Sequence, residues 1–109
     1  MNRFRSGLLA SALVAAALVA GPAAGQDRAV TALLDQASYW KLQNRPDQVV
    51  RILERVLQVD PRNAEALAGV AEAQAQLGNA TQAQDALARL RAAAPADPRT
   101  SQADIAVRT

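Results

Sequence analysis

Two prolines 34 residues apart, Pro61 and Pro95, constrain this chain more than any other feature. Each follows a stretch of helix-forming residues, and proline cannot continue a helix, so each forces the chain to turn back. Sliding the sequence by 34 positions brings other residues into register without a gap. Leu33 falls on Leu67, Ala37 on Ala71, Val49 on Ala83, Leu53 on Leu87, Arg55 on Arg89 and Val56 on Leu90. A period of this length, holding two helical stretches, specifies helix pairs that stack on one another. The units are residues 30–63 and 64–97, and a partial third occupies 98–109.

The local signals agree with that frame. Leu33, Ala37 and Trp40 share one face of a first helix from about Arg28 to Gln43. Asn44-Arg45-Pro46 turns the chain, and Pro46 opens a second helix that runs to about Val59. Val49, Ile52, Leu53, Val56 and Leu57 form its apolar stripe. In the next unit Gly78 supplies a helix C-terminal cap. Asp97 caps a last helix that Pro98 begins. The apolar half of the composition is mostly Ala, Leu and Val, and only 3% of residues are aromatic. Such a core favours close helix packing over strands. Trp40 is expected in that core, whereas Tyr39 is equally suited to core or surface.

Residues 1–25 read as a secretory leader. Met1–Arg5 carries Arg3 and Arg5 and no acidic group. Gly7–Ala20 is an uncharged apolar run, and Gly21-Pro22 ends it. Ala23-Ala24-Gly25 then offers the small residues of a cleavage site before Gln26. A run of about 14 residues is shorter than the roughly 20 that span a bilayer. No Cys is present to carry a lipoprotein acyl group. No transmembrane segment is expected once the leader is removed, and the expected location is the periplasm.

The overall charge of +2 comes from that leader. Without Arg3 and Arg5 the basic and acidic residues balance, so the chain has no basic footprint for nucleic acid. It contains neither Cys nor His. Thiol nucleophiles, disulfides and ordinary zinc sites therefore lack their residues. Asp35, Glu65 and Glu72 could be imagined as acid/base groups, but no nucleophile motif accompanies them. They are read as solvated helix faces, and no catalytic residue, metal or cofactor is expected.

The 34-residue pattern, with Leu at Leu33 and Leu67, small residues at Ala37, Ala71 and Ala83, and proline at Pro61 and Pro95, resembles the tetratricopeptide repeat (TPR) family. The resemblance implies an all-α, TPR-type helix-turn-helix solenoid of two repeats plus a C-terminal capping helix. Two positions depart from the family pattern. Gln74 stands where an aromatic is usual and Val49 where Ala is usual, which predicts loose packing at both. By family register the concave face carries Thr31, Leu34, Ser38, Lys41 and Leu42 from the first repeat. Glu65, Ala68, Glu72, Ala75 and Gln76 follow from the second. This lining lacks the Lys/Arg/Asn clamp with which some TPR proteins grip a terminal carboxylate.

A narrower resemblance rests on Ala32-Leu33-Leu34-Asp35-Gln36-Ala37-Ser38-Tyr39-Trp40 and on the stretches through Pro61 and Arg91. It is similar to the N-terminal TPR region of the bacterial cellulose synthase operon protein C family. Members carry a leader, a long periplasmic TPR array and an outer-membrane barrel. The resemblance implies a protein-binding scaffold whose partners include cellulose synthase complex components. The chain is then a truncated or stand-alone relative with no pore of its own. A general periplasmic adaptor in envelope or pilus assembly is the other reading.

Overall fold

The computed structural model describes residues 25–109, and the residues read as a leader up to Ala24 lie outside it. The described residues form five α-helices and no strand. They are α1 (residues 25–42), α2 (Pro46–Val59), α3 (Ala64–Gln76), α4 (Ala80–Ala93) and α5 (Pro98–Arg108). The helix pairs α1–α2 and α3–α4 follow the expected alternation, and α5 stacks after them. Central α3 packs against α2, α4 and α5.

The 34-residue period reappears in the hydrogen bonds of the turns. The α1 to α2 turn closes with Asn44 N–H donating to the Lys41 carbonyl (3.0 Å) and Arg45 N–H to the Trp40 carbonyl (3.0 Å). In the α3 to α4 turn Gly78 N–H donates to Ala75 (3.1 Å) and Asn79 N–H to Gln74 (2.9 Å). Both are Schellman caps, which require a left-handed residue after the helix. Asn44 (φ 58°) and Gly78 (φ 80°) are those residues. The expected glycine cap is thus present, and Asn44, which the sequence marked only as part of a turn, performs the same task.

The proline turns also match. Asp60 N–H donates to the Val56 carbonyl (2.8 Å) and Asn63 N–H to Asp60 (3.1 Å). Thirty-four residues later Ala94 donates to Leu90 (2.8 Å) and Asp97 to Ala94 (3.2 Å). The next helix is then capped by a side chain. Asn63 Oδ1 accepts from Ala66 N–H (2.9 Å), and Asp97 Oδ1 accepts from Arg99 N–H (2.8 Å). Each such cap is worth about 1 kcal/mol because it satisfies an N–H that the helix leaves open.

The core is small-residue packing stiffened by a few large side chains. Ala37, Ala66, Ala71, Ala83 and Ala103 are buried, and Val56, Leu67 and Leu90 are the largest fully buried side chains. Burying each of the latter contributes about 1.5–3 kcal/mol. Gly69 lets α3 approach α2, because a Cβ there would overlap Leu53 Cδ1.

Three expectations need correction. Trp40 is half-buried rather than a full core residue, packed on the edge of the cluster. Arg45 lies over its ring at 5.9 Å from the centroid, and Tyr39 meets it edge-on at 5.1 Å. Among the described residues α1 meets the core on one side, and the exposed part of its aromatic is covered by the Arg45 cation. Gln74 is not a loose point. It is buried, and its Oε1 accepts from Asn79 Nδ2 at 2.8 Å. Val49 is likewise buried, and it serves as part of the floor beneath the α1–α3 seam.

Candidate functional site

The odd-numbered helices share one side of the stack, and a trough runs between them. Its α3 wall follows the helix period: Glu65, Ala68, Gly69, Glu72, Ala73 and Gln76. Leu34, Ala37, Ser38 and Lys41 form the opposing α1 wall. Val49 and Leu53 of α2 lie at the bottom. α5 closes one end with Arg99 and Gln102. The trough has two basins of about 200 and 170 Å³ that share Lys41, Val49, Gly69 and Glu72.

Lys41 Nζ and Glu72 Oε2 stand 3.6 Å apart across the middle, joining α1 to α3. The lysine side chain is 68% exposed and the carboxylate 26%. Water screens such a pair, so it contributes less than about 1 kcal/mol and opens readily. Arg99 is held by Asp97 at 3.1 Å. Glu65 has no ion-pair partner among the described residues. Apolar floor and charged rim together suit a polypeptide ligand better than a small polar metabolite.

The residues expected on this face separate into three groups. Leu34, Ser38, Lys41, Glu65, Ala68, Glu72 and Gln76 line the trough. Thr31 does not. It belongs to a different, open depression with Asp27 and Asp60, and its hydroxyl donates to the Asp27 carbonyl at 2.9 Å. Leu42, 85% exposed at the end of α1, and Ala75 of α3 line neither basin. Sequence reasoning passed over Arg99 and Gln102. The signal that could have found them is Pro98, which starts a third helix equivalent to α1 and α3.

Other exposed groups pair locally. Arg45 Nε and one of its terminal nitrogens donate to the two Asp47 oxygens, each at 3.2 Å. That hydrogen bond lowers the Asp47 pKa from its ordinary 3.8 and raises that of Arg45. Among the described residues no cluster of three or more potential ligands is placed to hold a metal ion. Nor is any helix among them long and apolar enough to cross a membrane.

The tetratricopeptide repeat family profile matches residues 41–103, more than half of the chain. The chain belongs to the tetratricopeptide repeat family. Two curated relatives share one name. The chain is 32% identical over 91 residues to cellulose synthase operon protein C of Xanthomonas axonopodis pv. citri (strain 306), covering 83% of this chain and 6% of that protein. It is 30% identical over 87 residues to the protein of the same name from Pseudomonas fluorescens (strain SBW25), covering 80% and 7%. The chain therefore spans less than a tenth of the length of these relatives. No solved structure matches it.

Proposed function

We propose that this TPR chain is an exported, non-enzymatic adaptor that holds a protein segment in the α1–α3–α5 trough as part of bacterial cellulose production and export. The observation that carries the binding reading is the trough itself. α1, α3 and α5 wall an apolar floor completed by Val49 and Leu53 of α2, with a charged and amide-bearing rim, the kind of extended surface that helical repeats use for partners. The cellulose assignment rests on the name shared by the two relatives. The periplasmic location rests on the leader pattern in residues 1–25, with cleavage before Gln26.

Affinity purification of the tagged protein from a cellulose-producing host, after in-cell crosslinking, tests the assignment. Components of the cellulose synthase complex are expected in the eluate. Recovery of a pilus or envelope-assembly complex instead favours the general periplasmic adaptor. N-terminal sequencing of the recovered protein is expected to begin at Gln26, and an intact Met1 overturns export with cleavage. Turnover of cello-oligosaccharides by the purified protein overturns the non-enzymatic reading.

A further inference from the structure

Removal of residues 1–25 leaves Gln26 as the first residue of the exported chain. Gln26 lies in the first turn of α1 and is exposed, as are Gly25 and residues 27–29. It borders an open depression that Asp27 and Asp60 also line. The equivalent helices α3 and α5 follow Asn63 and Asp97, whose side chains cap their first turns. A chain that starts at Gln26 keeps no residue in front of α1 to do this. It carries an α-ammonium there instead, at the end of the helix where the backbone dipole already places positive charge.

We infer that Gln26 closes on itself to form pyroglutamate, so that α1 begins with a neutral lactam. The α-amine attacks the side-chain amide carbon Cδ, and the new N–Cδ bond completes a five-membered ring. The Cδ–Nε2 bond breaks, and Nε2 leaves as ammonia with the proton the amine gives up. No oxidant, metal or second substrate is consumed. An α-amine has an ordinary pKa of about 7.7–8.0, so near neutral pH part of it is unprotonated and nucleophilic. Closure needs only rotations within Gln26, which leaves the helix from Asp27 onward undisturbed. The product has lost the cation that opposes the helix dipole. It also lacks the free amine that aminopeptidases bind, at a terminus where trimming starts. α1 carries Leu34, Ser38 and Lys41 of the trough, so the lactam protects one wall of the binding face. The inference rests on cleavage before Gln26 and adds what becomes of the new terminus.

Mass spectrometry of the full chain expressed in bacteria and recovered from the periplasm tests this. The expected mass is that of Gln26–Thr109 less one ammonia, with tandem spectra placing the loss at Gln26. Pyroglutamyl aminopeptidase is then expected to remove one residue and leave Asp27 first. Gln26–Thr109 at full mass, its α-amine still free after prolonged incubation at neutral pH, overturns the lactam and leaves export with cleavage standing. That result means the ammonium persists beside Asp27 and Asp60. A chain that begins at Met1, or at any residue other than Gln26, overturns both readings. A second readout follows the helix. Compared with Gln26→Ala, which keeps its ammonium, the native protein is expected to exchange the amides of residues 30–33 about two- to fivefold more slowly. Equal exchange in the two overturns the stabilising role of the lactam at α1.

Discussion

Gln74 and Asn79 hold each other at two points: the Asn79 backbone N–H donates to the Gln74 carbonyl at 2.9 Å, and the Asn79 side-chain amide donates to Gln74 Oε1 at 2.8 Å. Trp40 and Arg45 occupy the same two places 34 residues earlier. They share the backbone bond at 3.0 Å, and there the side-chain contact is a guanidinium over an indole. One turn geometry is thus fastened by a buried amide pair in the second repeat and by a cation–π contact in the first. The Asn79 side chain makes no cap bond to α4; its amide nitrogen is turned to Gln74 instead.

Gln74→Ala removes a buried acceptor and leaves the Asn79 amide without its partner. Urea denaturation is expected to show a loss of about 1–2 kcal/mol. The double variant with Asn79→Ala is expected to lose less than the sum of the singles, since the second substitution removes a group the first has already orphaned. Strict additivity would mean that the side-chain bond contributes nothing.

Ala71 has no exposed surface where α3 meets its neighbours, while Ala92 is on the outside of α4. Ala71→Leu inserts three carbons into a filled contact and is expected to cost about 1–3 kcal/mol. Ala92→Leu is expected to be nearly neutral. A thermal melt of each variant checks the repeat register directly, because equal melts for the two would mean that Ala71 is not at the buried contact.

Much of this architecture was legible in the sequence because proline and small residues are positional. Pro61 and Pro95 set the period, and the stripe through Leu53 and Val56 set the α2 face. Gly78 was recognisable because glycine adopts positive φ without strain. Asn44 was not, because asparagine only tolerates that conformation and is common in turns of every kind. Gln74 was misjudged because a polar residue at an apolar slot looks like a packing defect until its partner five residues on is known. Pro98 marked the start of α5, but the place of Arg99 and Gln102 in the trough follows from the stacking of α5 on α3, which no local pattern states. Thr31 and Leu42 sit at the ends of the α1 stripe, where a helix of 3.6 residues per turn drifts off a straight seam.

Acid is expected to weaken the α1–α2 turn. Asp47 has a depressed pKa in the folded state, chiefly because it accepts the Arg45 hydrogen bonds. A carboxylate of this kind contributes stability that is present above its unfolded value and is lost as pH falls through the lower folded value. The ordinary value here is 3.8, so the loss lies on the acid side of it. The pair is exposed, so the effect is small and salt-sensitive. Asp47→Asn is expected to flatten that part of the pH–stability profile. An unchanged acid limb would show that the hydrogen bond is not kept in solution.

α5 depends on polar contacts more than α2, α3 and α4 do. Only Thr100 and Ala103 are buried along it, and Ile105 is 66% exposed. Asp104 holds it in place, accepting from Arg91 of α4 and from Arg108 one turn on. The Thr100 hydroxyl adds a bond to the Ala94 carbonyl at 2.7 Å. Asp104→Asn removes both ion pairs at once and, since they are partly exposed, is expected to cost only about 1 kcal/mol. That loss falls on one helix, because local opening is governed by the contacts of the segment that opens. Hydrogen exchange is expected to quicken across residues 98–108 and to remain slow in α2 and α3, and high salt acting on the unmodified protein is expected to do the same. Arg99 and Gln102 leave the trough when α5 detaches, so the same variant is expected to weaken any ligand seated there without touching its lining. Uniformly faster exchange through all five helices would mean instead that α5 and the repeats unfold as one cooperative unit.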